Sequence, residues 1–161
     1  MTKPINVSSL TPRTATIYPG PFAATTQGRA KCKLGDLFGL TQFGMNHTTL
    51  APNSSSALRH YHTYEDEMVY VLSGTPTLET DEGQTLLQPG DFIGFKGGET
   101  NGHRIMNLSD EPVEILEIGT RQPDQDEAEY PDADLRYMQN PDRKDETSAQ
   151  RIFVKRDGTP Y

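Results

Sequence analysis

The sequence predicts an all-β domain, and three observations carry that prediction. From Leu40 to about Ile118, apolar runs of strand length alternate with turn signals. Fourteen glycines and twelve prolines in 161 residues suit many short strands joined by turns better than long helices. No window offers sustained helical periodicity with start and stop signals. Spacing of this kind implies an antiparallel sandwich or barrel.

Residues 1–39 are rich in Thr, Pro and Gly (TPRTATIYPGPF, then KCKLGDLFGL) and read as an extended arm with one or two short strands. The strand-length runs that follow are LTQFGMNHTTL, SALRHYH, EMVYVLSG, PTLET, QTLLQPG, DFIGF, HRIMNL and VEILEIG. Between them lie the turn clusters Ala51-Pro52-Asn53-Ser54, Asp81-Glu82-Gly83, Pro89-Gly90-Asp91, Gly97-Gly98 and Ser109 to Pro112. Asp-Glu-Gly between TLET and QTLL is a hairpin signal. Together these runs make residues 40–121 the barrel. Residues 122–161 form an acidic extension that packs on the barrel or on a partner subunit. Its charge run, RQPDQDEAEYPDAD, reads as a solvated connection, and its closing RIFV as a short edge strand.

Composition bounds the function. The length is that of one domain with extensions, and 33% hydrophobic content with a mean hydropathy of −0.70 demands long polar connections around the core. A net charge of −8 without a basic cluster of the kind that tracks a phosphate backbone argues against nucleic acid as a partner. The start, MTKPINVSSL, has no apolar leader core, and no segment approaches membrane-spanning length. A cytoplasmic protein without membrane contact is the expectation. Cys32 is the single cysteine, so no intramolecular disulfide or thiolate cluster can form.

The chemistry concentrates in RHYHTYEDEMVYVLSG, Arg59 to Gly74. Along a strand, residues i and i+2 share a face, so His60 and His62 point the same way. Glu67 opens the next run after a short connection and brings a hard oxygen beside two nitrogens, a donor set suited to Fe(II), Mn(II), Ni(II) or Zn(II). Glu65 and Asp66 compete for that role; spacing favours Glu67, with Asp66 as the fallback. His103 begins HRIMN, whose His103, Ile105 and Asn107 share one face. A strand facing the first pair across a barrel could bring His103 to the open side, with Asn107 in support. His47, on a face with Phe43 and Met45, reads as an interface residue outside the ligand set. Arg59 and Lys96 flank the expected mouth, where surface solvation is the commoner fate of such side chains.

These residues resemble the cupin family. Its first motif, His-x-His, then Glu and Gly, is matched by His60, His62, Glu67 and Gly74. Its second, a Pro-x-Gly loop followed by His and Asn, is matched by His103 and Asn107, with Pro89-Gly90-Asp91 similar to the usual preceding turn. Three departures stand out. Ser54 sits where the first motif starts with Gly, Lys96 replaces Pro, and an insertion puts Asn101 where the strict pattern has His. The loop GFKGGETNGHRIMNLSDEPVEILEIGTR is similar to a subgroup of small single-domain cupins mostly lacking an assigned activity. The resemblance implies a double-stranded β-helix with a divalent metal held by His60, His62, Glu67 and His103, in a homodimer.

Two functions are open at this level. One is a metal-dependent enzyme acting on a small polar molecule, of dioxygenase, isomerase, lyase or decarboxylase type, for which no catalytic base outside the ligands can be named. The other is a non-catalytic module that binds or senses a small molecule. A helix-turn-helix segment is missing from the sequence, which argues against a stand-alone regulator. Met68, Tyr70 and Leu72 make the outer face of their strand apolar as well, so a partner or the N-terminal arm is expected to cover it.

Overall fold

A computed structural model describes residues 3–142 and 151–161. The arm makes two 3-10 turns, Val7–Ser9 and Gly20–Thr26, before strand β1 (Arg29–Lys33) and a one-turn helix α1 (Leu34–Leu37). Then follow β2 (Phe43–Leu50), β3 (Tyr61–His62), β4 (Glu67–Ser73), β5 (Thr77–Thr80), β6 (Gly83–Leu86), β7 (Phe92–Phe95), β8 (Arg104–Met106) and β9 (Val113–Thr120). The extension adds β10 (Ala128–Glu129), β11 (Arg136–Gln139) and β12 (Arg151–Val154).

The fold is an all-β jelly-roll barrel. One wall is a five-stranded sheet in the order β1-β2-β9-β4-β7. Facing it are β6-β5-β8 and β12-β11-β10-β3, joined where Ser55 pairs with Met106 and His60 with His103. Every strand pairing is antiparallel. The Asp81-Glu82 turn closes the β5–β6 hairpin with Thr80 opposite Gly83, whose φ of 117° suits glycine.

Between the walls the inward residues Leu50, Val69, Val71, Leu78, Ile105, Val113 and Ile115 form the main core. Burying each such side chain contributes about 1.5–3 kcal/mol, which fixes strand register because a one-residue slip would turn the whole set outward. Gly74 follows an irregularity in the β4–β9 pairing and has φ 76°; a Cβ there would lie 2.7 Å from Val113 Cγ2 and 2.9 Å from the Pro112 carbonyl oxygen. Its place in the motif is therefore a matter of packing.

Two features depart from the sequence reading. Along residues 126–130 the acidic run alternates, with Asp126, Ala128 and Tyr130 buried. Outward Glu127 and Glu129 both pair with Arg136. Strand β10 thereby extends the wall from β3, where solvated chain was expected. Its inward residues join Tyr18 and Leu135 in a second apolar cluster, against which Phe22, Leu58 and Phe153 pack, so arm and extension seal one end of the barrel together. On the outer face of β4 and its neighbour β7, Met68, Tyr70, Leu72 and Phe92 are exposed within one chain, so of the two expected covers the described part of the arm is not the one. No helix among the described residues is long and apolar enough to cross a membrane.

Candidate metal centre

His60 and His62 reach one point because the chain is extended from the His60–His103 bridge into β3, which puts residues two apart on one face. Their positions are held from behind. His60 Nδ1 lies 2.8 Å from the Leu58 carbonyl oxygen and His62 Nδ1 lies 2.7 Å from Asp126 Oδ2. Donation from Nδ1–H fixes the tautomer that leaves each Nε2 with a free lone pair, the arrangement a metal-binding imidazole needs. Glu67 arrives from the opposite wall on β4, and its Oε2 lies 3.7 Å from His60 Nε2 and 3.5 Å from His62 Nε2. Ligand atoms of His60, His62 and Glu67 all fall within 4.8 Å of one another.

His103 joins through Glu67, with Nε2 3.0 Å from Oε2. It does not face the first pair across the barrel, as the sequence suggested. Residues 60 and 103 are antiparallel neighbours exchanging both backbone hydrogen bonds, at 3.0 and 2.8 Å, and only Glu67 comes from the far wall. The His103 ring stacks flat on Phe95, centroids 3.5 Å apart, and its Nδ1 is buried with no hydrogen-bond partner among the described residues.

The other candidates resolve as follows. Asp66, the fallback ligand, accepts from Gly97 N at 2.9 Å and belongs to neither possible metal cluster among the described residues. Glu65 accepts from Gln122 N at 2.6 Å and groups with His62 and Asp126 on the far side of the imidazole. Asn107 is buried but does not support the site: its amide donates to the Leu50 and Glu111 carbonyls and its oxygen accepts from Ser109, so it staples a turn. His47 lies 3.7 Å from Glu114, outside the cluster. Arg59 is engaged by Asp132 and Asp81, whereas Lys96 does line a cavity beside the site.

The insertion before His103 also has a physical reading. Asn101 accepts from Asp81 N and donates to Glu82, tying the loop to the β5–β6 hairpin. A Cβ on Gly102 would sit 2.9 Å from Pro131 Cγ, so the loop also passes close beneath the extension.

Asp126 is the residue that sequence reasoning missed. Its carboxylate is fully buried and accepts from His62, from Tyr64 N at 3.1 Å, Glu65 N at 3.2 Å and Arg151 Nη2 at 3.3 Å. The period-2 burial of residues 126, 128 and 130 is the signal that could have found it.

Electrostatically, burial works against charge on Glu67, His60 and His62, and the pairings decide the outcome. For Glu67 burial favours the neutral acid, but the His103 hydrogen bond and the three imidazoles overcome it and hold the carboxyl well below its usual range. His60 is pushed down to about 4, chiefly by burial. For His62 burial also acts downward, yet the Asp126 hydrogen bond and nearby Glu67 raise it. A lone anionic oxygen facing imidazole nitrogens with pinned tautomers is a donor set that fits a borderline divalent cation.

Two cavities meet at this cluster. One, of about 280 Å³, is lined by His62, Glu67 and His103 together with Glu65, Lys96 and Asn101. The second, of about 220 Å³, touches all four candidate ligands and runs over Tyr130, Tyr137, Glu117, Asn46, Lys31 and Arg29.

Barrel and site together define a cupin. The cupin domain family model matches residues 46–119. Over 99% of this chain and 96% of the other, the protein superposes with a TM-score of 0.88 at 36% identity on a structure from Silicibacter pomeroyi described as a sugar phosphate isomerase from a cupin superfamily. A structure from Acidithiobacillus ferrooxidans, given provisionally as a sugar phosphate isomerase, aligns with a TM-score of 0.69 at 34% identity over 83% of this chain and 80% of that one. In sequence, 72 residues are 31% identical to quercetin 2,3-dioxygenase of Bacillus subtilis, covering 45% of this chain but 21% of that enzyme. The chain belongs to the cupin superfamily.

Proposed function

We propose that the chain is a metal-dependent isomerase interconverting an aldose and a ketose form of a small phosphorylated sugar. The observation that carries the metal centre is the convergence of His60, His62 and Glu67 with both histidine Nδ1 atoms already engaged. His103 completes the ligand set, and Fe, Mn, Ni and Zn all suit it. The substrate class rests on the near full-length likeness to the Silicibacter structure.

A divalent ion bound there supplies Lewis-acid polarisation of a carbonyl and its neighbouring hydroxyl. The protein must add a group that moves a proton between the two carbons. Apart from Glu67, Glu117 is the carboxylate among the described residues that lines the second cavity, held by Lys31 Nζ and Thr48 Oγ1 at 2.7 Å each. We assign it the base: it takes the proton from the hydroxyl-bearing carbon and returns it to the former carbonyl carbon, while the hydroxyl proton shifts between oxygens. No net oxidation occurs.

Metal-reconstituted protein should exchange deuterium into an aldose or ketose phosphate at the carbon beside the carbonyl in heavy water, read by NMR, and Glu117→Gln should abolish it. A metal-loaded sample that stabilises on binding such a compound yet leaves it unchanged and undeuterated would make the protein a binding module instead. For the outer sheet face we propose a second copy of the chain as the cover, giving a homodimer.

A further inference from the structure

One face of β1 carries a group of cations that folding alone does not explain. Arg29, Lys31 and Lys33 alternate along the strand and so share that face. Arg13 pairs directly opposite Lys31, exchanging both backbone hydrogen bonds at 2.9 Å, and antiparallel partners project to the same side. Four positive side chains thus meet in a chain of net charge −8, with Arg13 and Lys31 as a like-charge cross-strand pair, an arrangement that destabilises a sheet.

Their internal neutralisation is partial. Arg29 donates to the Ser56 carbonyl at 2.6 Å, Lys31 pairs with Glu117, and Lys33 lies 3.6 Å from exposed Asp36. Arg13 has no ion-pair partner among the described residues. All four line a cavity of about 210 Å³ whose lining contains no carboxylate among the described residues. That cavity shares Ile17, Tyr18, Arg29, Lys31 and Asn46 with the one that touches all four histidine and glutamate candidates, so the two are continuous. The cations also lie outside residues 46–119, the span the cupin model matches.

We infer that Arg13, Arg29, Lys31 and Lys33 form a phosphate-binding subsite, which anchors the phosphorylated end of a substrate whose other end reaches the metal centre. This rests on the isomerase reading for the substrate's second end, but anion binding itself does not. The N-terminal arm thereby selects a phosphorylated over a neutral sugar. Arg29, braced against Ser56, is pre-oriented, whereas Arg13 and Lys33 are exposed, Lys33 within 3.6 Å of Asp36.

The test uses the full chain, with and without metal, titrated with inorganic phosphate by calorimetry at low salt, alongside acetate and an unphosphorylated sugar. Phosphate should bind both forms, weaken as salt is raised, and outcompete acetate. Arg13→Glu with Lys33→Glu, both at exposed positions, should weaken phosphate binding about tenfold or more for each charge-assisted hydrogen bond removed, without lowering the melting temperature in buffer lacking phosphate. Equal phosphate affinity in wild type and the double variant overturns the subsite, even if the metal-loaded enzyme turns sugars over. Intact phosphate binding that the variant removes, in a protein with no turnover, upholds the subsite and sinks the isomerase reading alone. Binding of acetate as tight as phosphate also overturns it.

Discussion

Asp126→Asn separates the support of the metal centre from the centre itself. The substitution keeps side-chain volume but removes the anion that holds His62 Nδ1 at 2.7 Å. Without it, the proton on His62 is no longer confined to Nδ1, and the lone pair at Nε2 is lost for part of the time. Loss of such a supporting carboxylate typically lowers metal affinity by about 10–100-fold. Stability should fall as well, because Arg151, nearly buried, loses an ionic partner at 3.3 Å and two backbone N–H donors keep only an amide oxygen. Stripping one partner from a buried pair costs about 3–5 kcal/mol when nothing replaces it, and retention of the amide should hold the loss near the lower bound. Competition with a chelator of known affinity gives the metal Kd, and thermal unfolding of the metal-free protein gives the stability term. An unchanged Kd beside a lowered melting temperature would refute the role of Asp126 in orienting His62.

In metal-free protein, His60 sits at about 4 against an ordinary value near 6.5, so the unfolded chain binds more protons between those limits and stability falls as pH drops through that window. The raised His62 has the opposite sign, adding stability below its unfolded value that is lost on going up through its folded one. His60→Asn should flatten the acid limb of a melting-temperature profile, and an unaltered limb would contradict the assignment. Gly97→Ala drives a Cβ into the Tyr64 carbonyl oxygen, so the loop before Glu67 must shift, at a cost of about 1–3 kcal/mol by chemical denaturation; a neutral result would show the contact to be loose. Tyr70→Asp with Leu72→Asp on the open outer face should convert the proposed dimer to monomer by light scattering, while a wild-type monomer would dismiss the dimer outright.

Most strands were legible because their inward residues alternate and Gly, Pro or Asp-Glu-Gly turns bound them. Strand β1 is one of the short strands expected in the arm, although its cationic alternation did not say that it would pair with β2 in the barrel wall, and β10 hid because Asp126 looks like its solvated neighbours. His60, His62 and Glu67 could be placed on one point from strand period and a short return. The location of His103 could not: whether two strands are neighbours or face each other depends on pairing, and only the His60–His103 bonds decide it. Asn107 was misjudged for a related reason, since facing inward does not say which carbonyls lie within reach.

Everything proposed for the site depends on His60, His62, Glu67 and His103 holding one divalent metal ion. Anomalous diffraction from crystals of untagged protein, purified without chelator and recorded at the absorption edge of the metal found by elemental analysis, tests this directly. The expected map has one peak per chain about 2.0–2.2 Å from the three Nε2 atoms and a Glu67 oxygen. No peak there after soaking in Fe, Mn, Ni or Zn, or a peak held instead by His62, Glu65 and Asp126, would contradict it.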